Sequence, residues 1–146
     1  MKVDDILETK RGVLYTTTPQ ASLVDAVAAM TECDVGSLVV FDAHHLAGML
    51  TFREVLQVVY RRQSDWQQVK VAEVMTAAPV VIEPDMEMES LVRLMTENPQ
   101  RYLPVMDGTT LLGVVSLRDV TQVVLESQMF ENNLLRSFIR VMPGKD

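Results

Sequence analysis

The chain has 146 residues, 48% of them apolar and 23% charged, with a formal net charge of −7. That is the size of one compact domain, or of two small repeats sharing a core, and it is long enough to bury roughly two-thirds of the surface exposed on unfolding. The negative charge argues against nucleic acid or an anionic membrane as the main partner, and no apolar run approaches the ~18 residues of a membrane span.

The opening Met1-Lys2-Val3-Asp4-Asp5 turns acidic at once and lacks the apolar stretch of a signal peptide. Cys33 is alone, so an intrachain disulfide is impossible, and a reducing cytoplasm is the expected compartment.

In chain order, a short helix is expected from Val3 to Leu7, then an extended stretch Val13-Leu14-Tyr15-Thr16 that ends near a proline. A helix follows with Leu23, Val27 and Met30 on one face. Two apolar runs, Leu38 to Phe41 and Leu46 to Leu50, are parted by Asp42-Ala43-His44-His45 and read as a hairpin. A closing helix starts near Arg53, and Tyr60 to Gln68 forms a polar connector carrying Trp66, placed to clamp that segment down. The order then recurs: Val71 to Met75, Val80-Val81-Ile82, a helix with Met88, Val92 and Met95, two strands parted by Asp107-Gly108-Thr109-Thr110, and a helix from Arg118. From Val120 to Val141 one long helix or two short ones are expected. The apolar Phe130, Leu134, Leu135, Phe138 and Ile139 there serve either the core or a dimer contact.

The recurrence is a duplication. Shifted by 65 residues, Pro19–Val59 falls on Pro84–Val124 without a gap, and about 15 of 41 positions are identical. Each repeat reads as β-α-β-β-α after its lead-in helix. A repeat of about 60 residues with one small sheet is marginal alone, so the two are expected to pair about a pseudo-two-fold axis. The expected organisation is repeat 1 over 1–60, a connector over 61–69, repeat 2 over 70–126, and a helical tail over 127–146.

The last strand of each repeat meets its last helix in matching segments, Gly48-Met49-Leu50-Thr51-Phe52-Arg53-Glu54 and Gly113-Val114-Val115-Ser116-Leu117-Arg118-Asp119. One reading is a capping box, as in Ser22-Leu23-Val24-Asp25, which has the same spacing and no upstream glycine. The other is an anion site. Hydroxyl, guanidinium and carboxylate gather where free N–H groups and the helix dipole favour phosphate, and a carboxylate suits ribose hydroxyls. A glycine inside a strand points to close approach by another group.

The 65-residue duplication, the Gly-x-x-Thr/Ser-x-x-Glu/Asp corners and the strand Arg101-Tyr102-Leu103-Pro104-Val105 resemble the CBS-domain family (named after cystathionine β-synthase) from Lys2 to about Val124. The resemblance implies an α/β (α+β) pair of CBS repeats, sheets face to face with helices outside, often dimerised, with ligand clefts between repeats. The first cleft would use Asp119 for ribose and Ser116 and Arg118 toward phosphate, with Lys10, Leu14, Val35, Gly36, Ser37 and Leu38 about the base. The second would use Glu54, Thr51 and Arg53, with Thr76, Pro79, Val80, Arg101, Tyr102 and Leu103 about the base. Glu54 is one methylene longer than aspartate, and Arg101 stands where the first cleft has Gly36. The Asp119 cleft is therefore the better expected adenosine site.

The corresponding function is a stand-alone regulatory module that binds an adenine nucleotide (AMP first, or ADP or ATP) without a required cofactor. Because the chain ends about twenty residues past the second repeat, output is expected to pass to a separate effector protein. The alternatives are a ligand-independent dimeric scaffold with vestigial clefts, and a sensor of NAD or S-adenosylmethionine. No catalytic set can be placed, so an enzyme is not expected. His44-His45 reads as a solvated hairpin tip rather than a metal site, since Thr109-Thr110 replaces it in the copy. Cys33 reads as a small apolar filler rather than a reactive thiol, and the ten methionines as adaptable core.

Overall fold

The structure, a computed structural model, describes residues 1–10 and 14–127. The expectations placed on Val13 and on 128–146 lie outside the described residues. The chain divides into two compact units, Met1–Val115 and Ser116–Asp146, and each is described by itself.

The first unit runs α1 (Val3–Lys10), β1 (Thr16–Thr17), α2 (Leu23–Cys33), β2 (Ser37–Asp42), β3 (His45–Thr51), α3 (Phe52–Arg62), α4 (Val71–Val74), β4 (Thr76–Ala77), α5 (Met88–Glu97), β5 (Tyr102–Asp107) and β6 (Thr110–Ser116), whose last residue opens the second unit. A helix, α6, follows over 117–127. Four strands form one sheet in the order β1-β2-β3-β4, and β5 and β6 form another.

Local chemistry accounts for these elements. Ser22 caps α2, its side chain accepting from the Asp25 N–H at 3.3 Å, and Asp34 ends the helix in the left-handed region. The two hairpins turn through equivalent residues of positive φ, Ala43 (55°) and Gly108 (61°). Buried positions also repeat: Met30 and Met95, Leu38 and Leu103, Val40 and Val105, and Leu50 and Val115 are all at most 5% exposed. Trp66 packs half-buried against the core around Leu23, Met30, Leu38 and Leu50, as its place in the connector suggests.

The lead-in helices cross over. Val3 and Asp4 of α1 donate to Met86 and Pro84, residues of the second repeat, and Lys2 bridges Glu87. Conversely Val71 and Ala72 of α4 donate to Ala21 and Pro19 of the first, and Lys70 bridges Ser22. β4 then pairs antiparallel with β3, Gly48 opposite Ala77. Each lead-in therefore completes the other repeat's structure, which ties two individually marginal repeats together.

One expected strand is reduced. Thr17 pairs in parallel with Val40 within β1 and β2, and the equivalent Ile82 makes only an isolated bridge to Val105. The cause is Pro104. Val39 donates its N–H to the Tyr15 carbonyl at 3.2 Å, whereas Pro104, at the matching position, has no N–H to give Val80.

Candidate strand-to-helix binding corners

Both corners form capping boxes. At the start of α3, the Thr51 N–H donates to Glu54 Oε1 at 3.0 Å and the Thr51 hydroxyl donates to Oε2 at 2.8 Å, while the Arg53 N–H donates to the Thr51 hydroxyl oxygen at 3.3 Å. In the second unit the Ser116 N–H donates to Asp119 Oδ2 at 2.8 Å, and the Asp119 N–H donates to Ser116 Oγ at 3.1 Å. The extra methylene of Glu54 lets both of its oxygens chelate one residue. Arg53 and Arg118 are exposed, and Thr51, Glu54, Ser116 and Asp119 half-buried.

The motif glycines are explained from inside the chain. A Cβ on Gly48 would lie 2.6 Å from the Thr76 carbonyl oxygen and 2.8 Å from Met75 Sδ, and one on Gly113 would lie 2.7 Å from Leu7 Cδ2. The groups approaching these strands are the two lead-in segments, the close approach that a glycine inside a strand implies. At Gly36 a Cβ would meet the Tyr102 ring and hydroxyl and come within 3.1 Å of Phe52 Cε2.

Tyr102 and Thr76, of the residues expected about the Glu54 corner, lie near the start of α3 and the end of β3. The Phe52 N–H donates to the Gly36 carbonyl at 3.3 Å, Tyr102 lies against that junction, and Thr76 in β4 runs beside Met49 in β3. Pro79 and Val80 are half-buried, and Arg101 is exposed. Among the residues expected about the other base, Lys10 reaches β6, its Nζ donating to the Val114 carbonyl at 2.7 Å. Ser37 stands opposite Thr51 in the β2–β3 ladder, Val35 packs half-buried against the core, and Leu14 is exposed. Leu38 and Leu103 are 1% and 0% exposed, so their side chains are core and only their backbone is left for a ligand.

Gln100 is the residue the sequence reading missed. Its Oε1 accepts from the Val80 N–H at 3.0 Å, and its Nε2 donates to the carbonyls of Val80 and Tyr102, both at 2.9 Å. The signal was a polar residue at a position that is Val35 in the copy. Elsewhere, an open groove is lined by Arg62, Asp65, Gln67, Gln68, Val69 and Glu73, none of them a predicted site residue. No three His, Cys, Asp or Glu side chains converge among the described residues, and His44 and His45 are exposed.

Comparison with known proteins agrees with the duplication. The model of the CBS domain matches residues 3–61 and 71–126. The CBS domain-containing protein YhcV of Bacillus subtilis is 30% identical over 81% of this chain and 84% of its own length. A CBS-domain-containing protein from Agrobacterium tumefaciens superposes with a TM-score of 0.80 at 27% identity, over 84% of this chain and 98% of its own. CBSX2, solved in complex with AMP, gives 0.72 at 26% identity over 87% and 98%. These neighbours share the mixed α/β architecture of two repeats, and no helix among the described residues is long and apolar enough to cross a membrane.

Proposed function

The chain belongs to the CBS-domain family, and from that membership we propose that it is a regulatory module that binds an adenine nucleotide, AMP first, and reports the ligand to a separate effector protein. The observation that carries this reading is the duplicated corner in which a hydroxyl and a carboxylate meet at a helix N-terminus beside an exposed arginine, at Ser116–Asp119 and at Thr51–Glu54. The AMP complex of the similar CBSX2 supports the choice of ligand. Asp119 receives the ribose hydroxyls, and Ser116 and Arg118 face the phosphate. The Glu54 corner is the weaker one, because glutamate is one methylene longer than aspartate and Arg101 stands at the position that is Gly36 in the copy. Titration of AMP into the protein by calorimetry tests the reading, and absence of binding heat and of any stabilisation overturns it.

A second reading has its own support. Both carboxylates fasten their own helices, and α3 exposes Phe52, Leu56 and Tyr60 (54%, 67% and 81%) one turn apart. Those features suit a homodimeric interaction module whose corners serve only the fold. NAD or S-adenosylmethionine in place of AMP fits the same corners through their adenosine part. The proposed module has no catalytic step of its own and acts in the cytoplasm.

A further inference from the structure

The Gln100 carboxamide is wholly committed to backbone. Two of its three bonds form a closed pair with a single residue: Oε1 takes the Val80 N–H and Nε2 gives to the Val80 carbonyl, at 3.0 and 2.9 Å. Pro104 is the reason that carbonyl needs a partner, since the proline cannot supply the ladder bond that Val39 supplies to Tyr15. Repeat 1 has no counterpart to the clamp. Val35 stands at the equivalent position and has no polar side-chain atom.

The pattern offered by Val80, a donor beside an acceptor, is complementary to a primary carboxamide. It is equally complementary to the edge of adenine, where the N6 amino group donates beside a ring nitrogen that accepts. We infer that Gln100 is an internal stand-in for the adenine edge, that it keeps Val80 closed to a nucleotide, and that it decides how many nucleotides the chain binds. The inference rests on the nucleotide reading and deepens it. Tyr102, whose carbonyl takes the third bond, and Phe52, which follows Thr51, both lie against Gly36, so the blocked backbone belongs to the same locality as the Glu54 corner.

The test is AMP calorimetry on four full-length proteins: wild type, Gln100→Val, Asp119→Ala, and Gln100→Val with Asp119→Ala. The wild type is expected to bind one AMP per chain and Gln100→Val two. In the Asp119→Ala background, Gln100→Val is expected to tighten residual AMP binding by about tenfold or more. Amide exchange gives an independent readout: the Val80 N–H loses protection in Gln100→Val and regains it under saturating AMP. Gln100→Ala, which adds no branched side chain, is the companion variant should the valine fail to fold. One site in both wild type and Gln100→Val, with no AMP-dependent protection of Val80, overturns the inference and leaves the nucleotide reading standing. No AMP binding by any of the proteins overturns both.

Discussion

Met75 fills the space that a side chain on Gly48 would need: its sulfur stands 2.8 Å from the position of a Cβ, with the Thr76 carbonyl oxygen at 2.6 Å. β4 and β3 pair at this point, so the carbonyl cannot move without breaking the ladder. Gly48→Ala should therefore cost about 1–3 kcal/mol of stability in urea unfolding. Gly113→Ala should cost less, because only the flexible tip of Leu7 stands in the way. Equal losses would contradict this account of the two glycines.

The Thr51–Glu54 capping box makes a second prediction. Thr51→Ala and Glu54→Ala should each remove about 1 kcal/mol, since each breaks the same reciprocal cap. The double variant should lose clearly less than the sum, the signature of two residues acting as one unit. Additive losses in a double-mutant cycle would show that they act separately.

The hairpin turns differ in strain at matching positions. Ala43 holds φ 55° with a Cβ, and Gly108 holds φ 61° without one. Gly108→Ala should lower stability by about 1 kcal/mol, whereas Ala43→Gly should not lower it, because relief of the left-handed backbone offsets the entropy of glycine. Thermal unfolding of the two variants checks the sign of each.

Asp119 carries both a structural and a proposed binding role, and substitution separates them. Asp119→Asn keeps an oxygen for the Ser116 N–H, so the helix start should survive. Asp119→Ala loses it. If ribose hydroxyls bond the carboxylate, Asp119→Ala should weaken AMP by at least ~1 kcal/mol, since a hydrogen bond to a charged group contributes about 1.5–3. Unchanged affinity in calorimetry would remove Asp119 from the site.

Much of the fold was legible because the duplication doubled every signal. Apolar periodicity placed α2 and α5 and both hairpins, and the capping pattern placed α3 and α6. The exchange of lead-in helices was not legible, because Leu7 and Met75 read as ordinary apolar residues and nothing local says which repeat they cover. The strand glycines signalled close approach, and the groups that approach them are Met75 and Thr76 at Gly48 and Leu7 at Gly113. The thinning of the strand at Val80 could have been anticipated from Pro104 facing it. The role of Gln100 required knowing that its side chain folds back on Val80 rather than pointing to solvent. Leu38 and Leu103 each begin a run of three buried residues in their strands, a continuous burial that alternation alone does not indicate.

The most direct test of the nucleotide reading is to melt the protein with millimolar AMP, ADP, ATP, NAD and S-adenosylmethionine in turn. A ligand at 100 times its dissociation constant stabilises by about 2.7 kcal/mol, which raises the melting temperature by several degrees. The account predicts that rise with AMP and its loss in Asp119→Ala. A melting temperature unmoved by all five compounds would contradict it and favour the ligand-independent module.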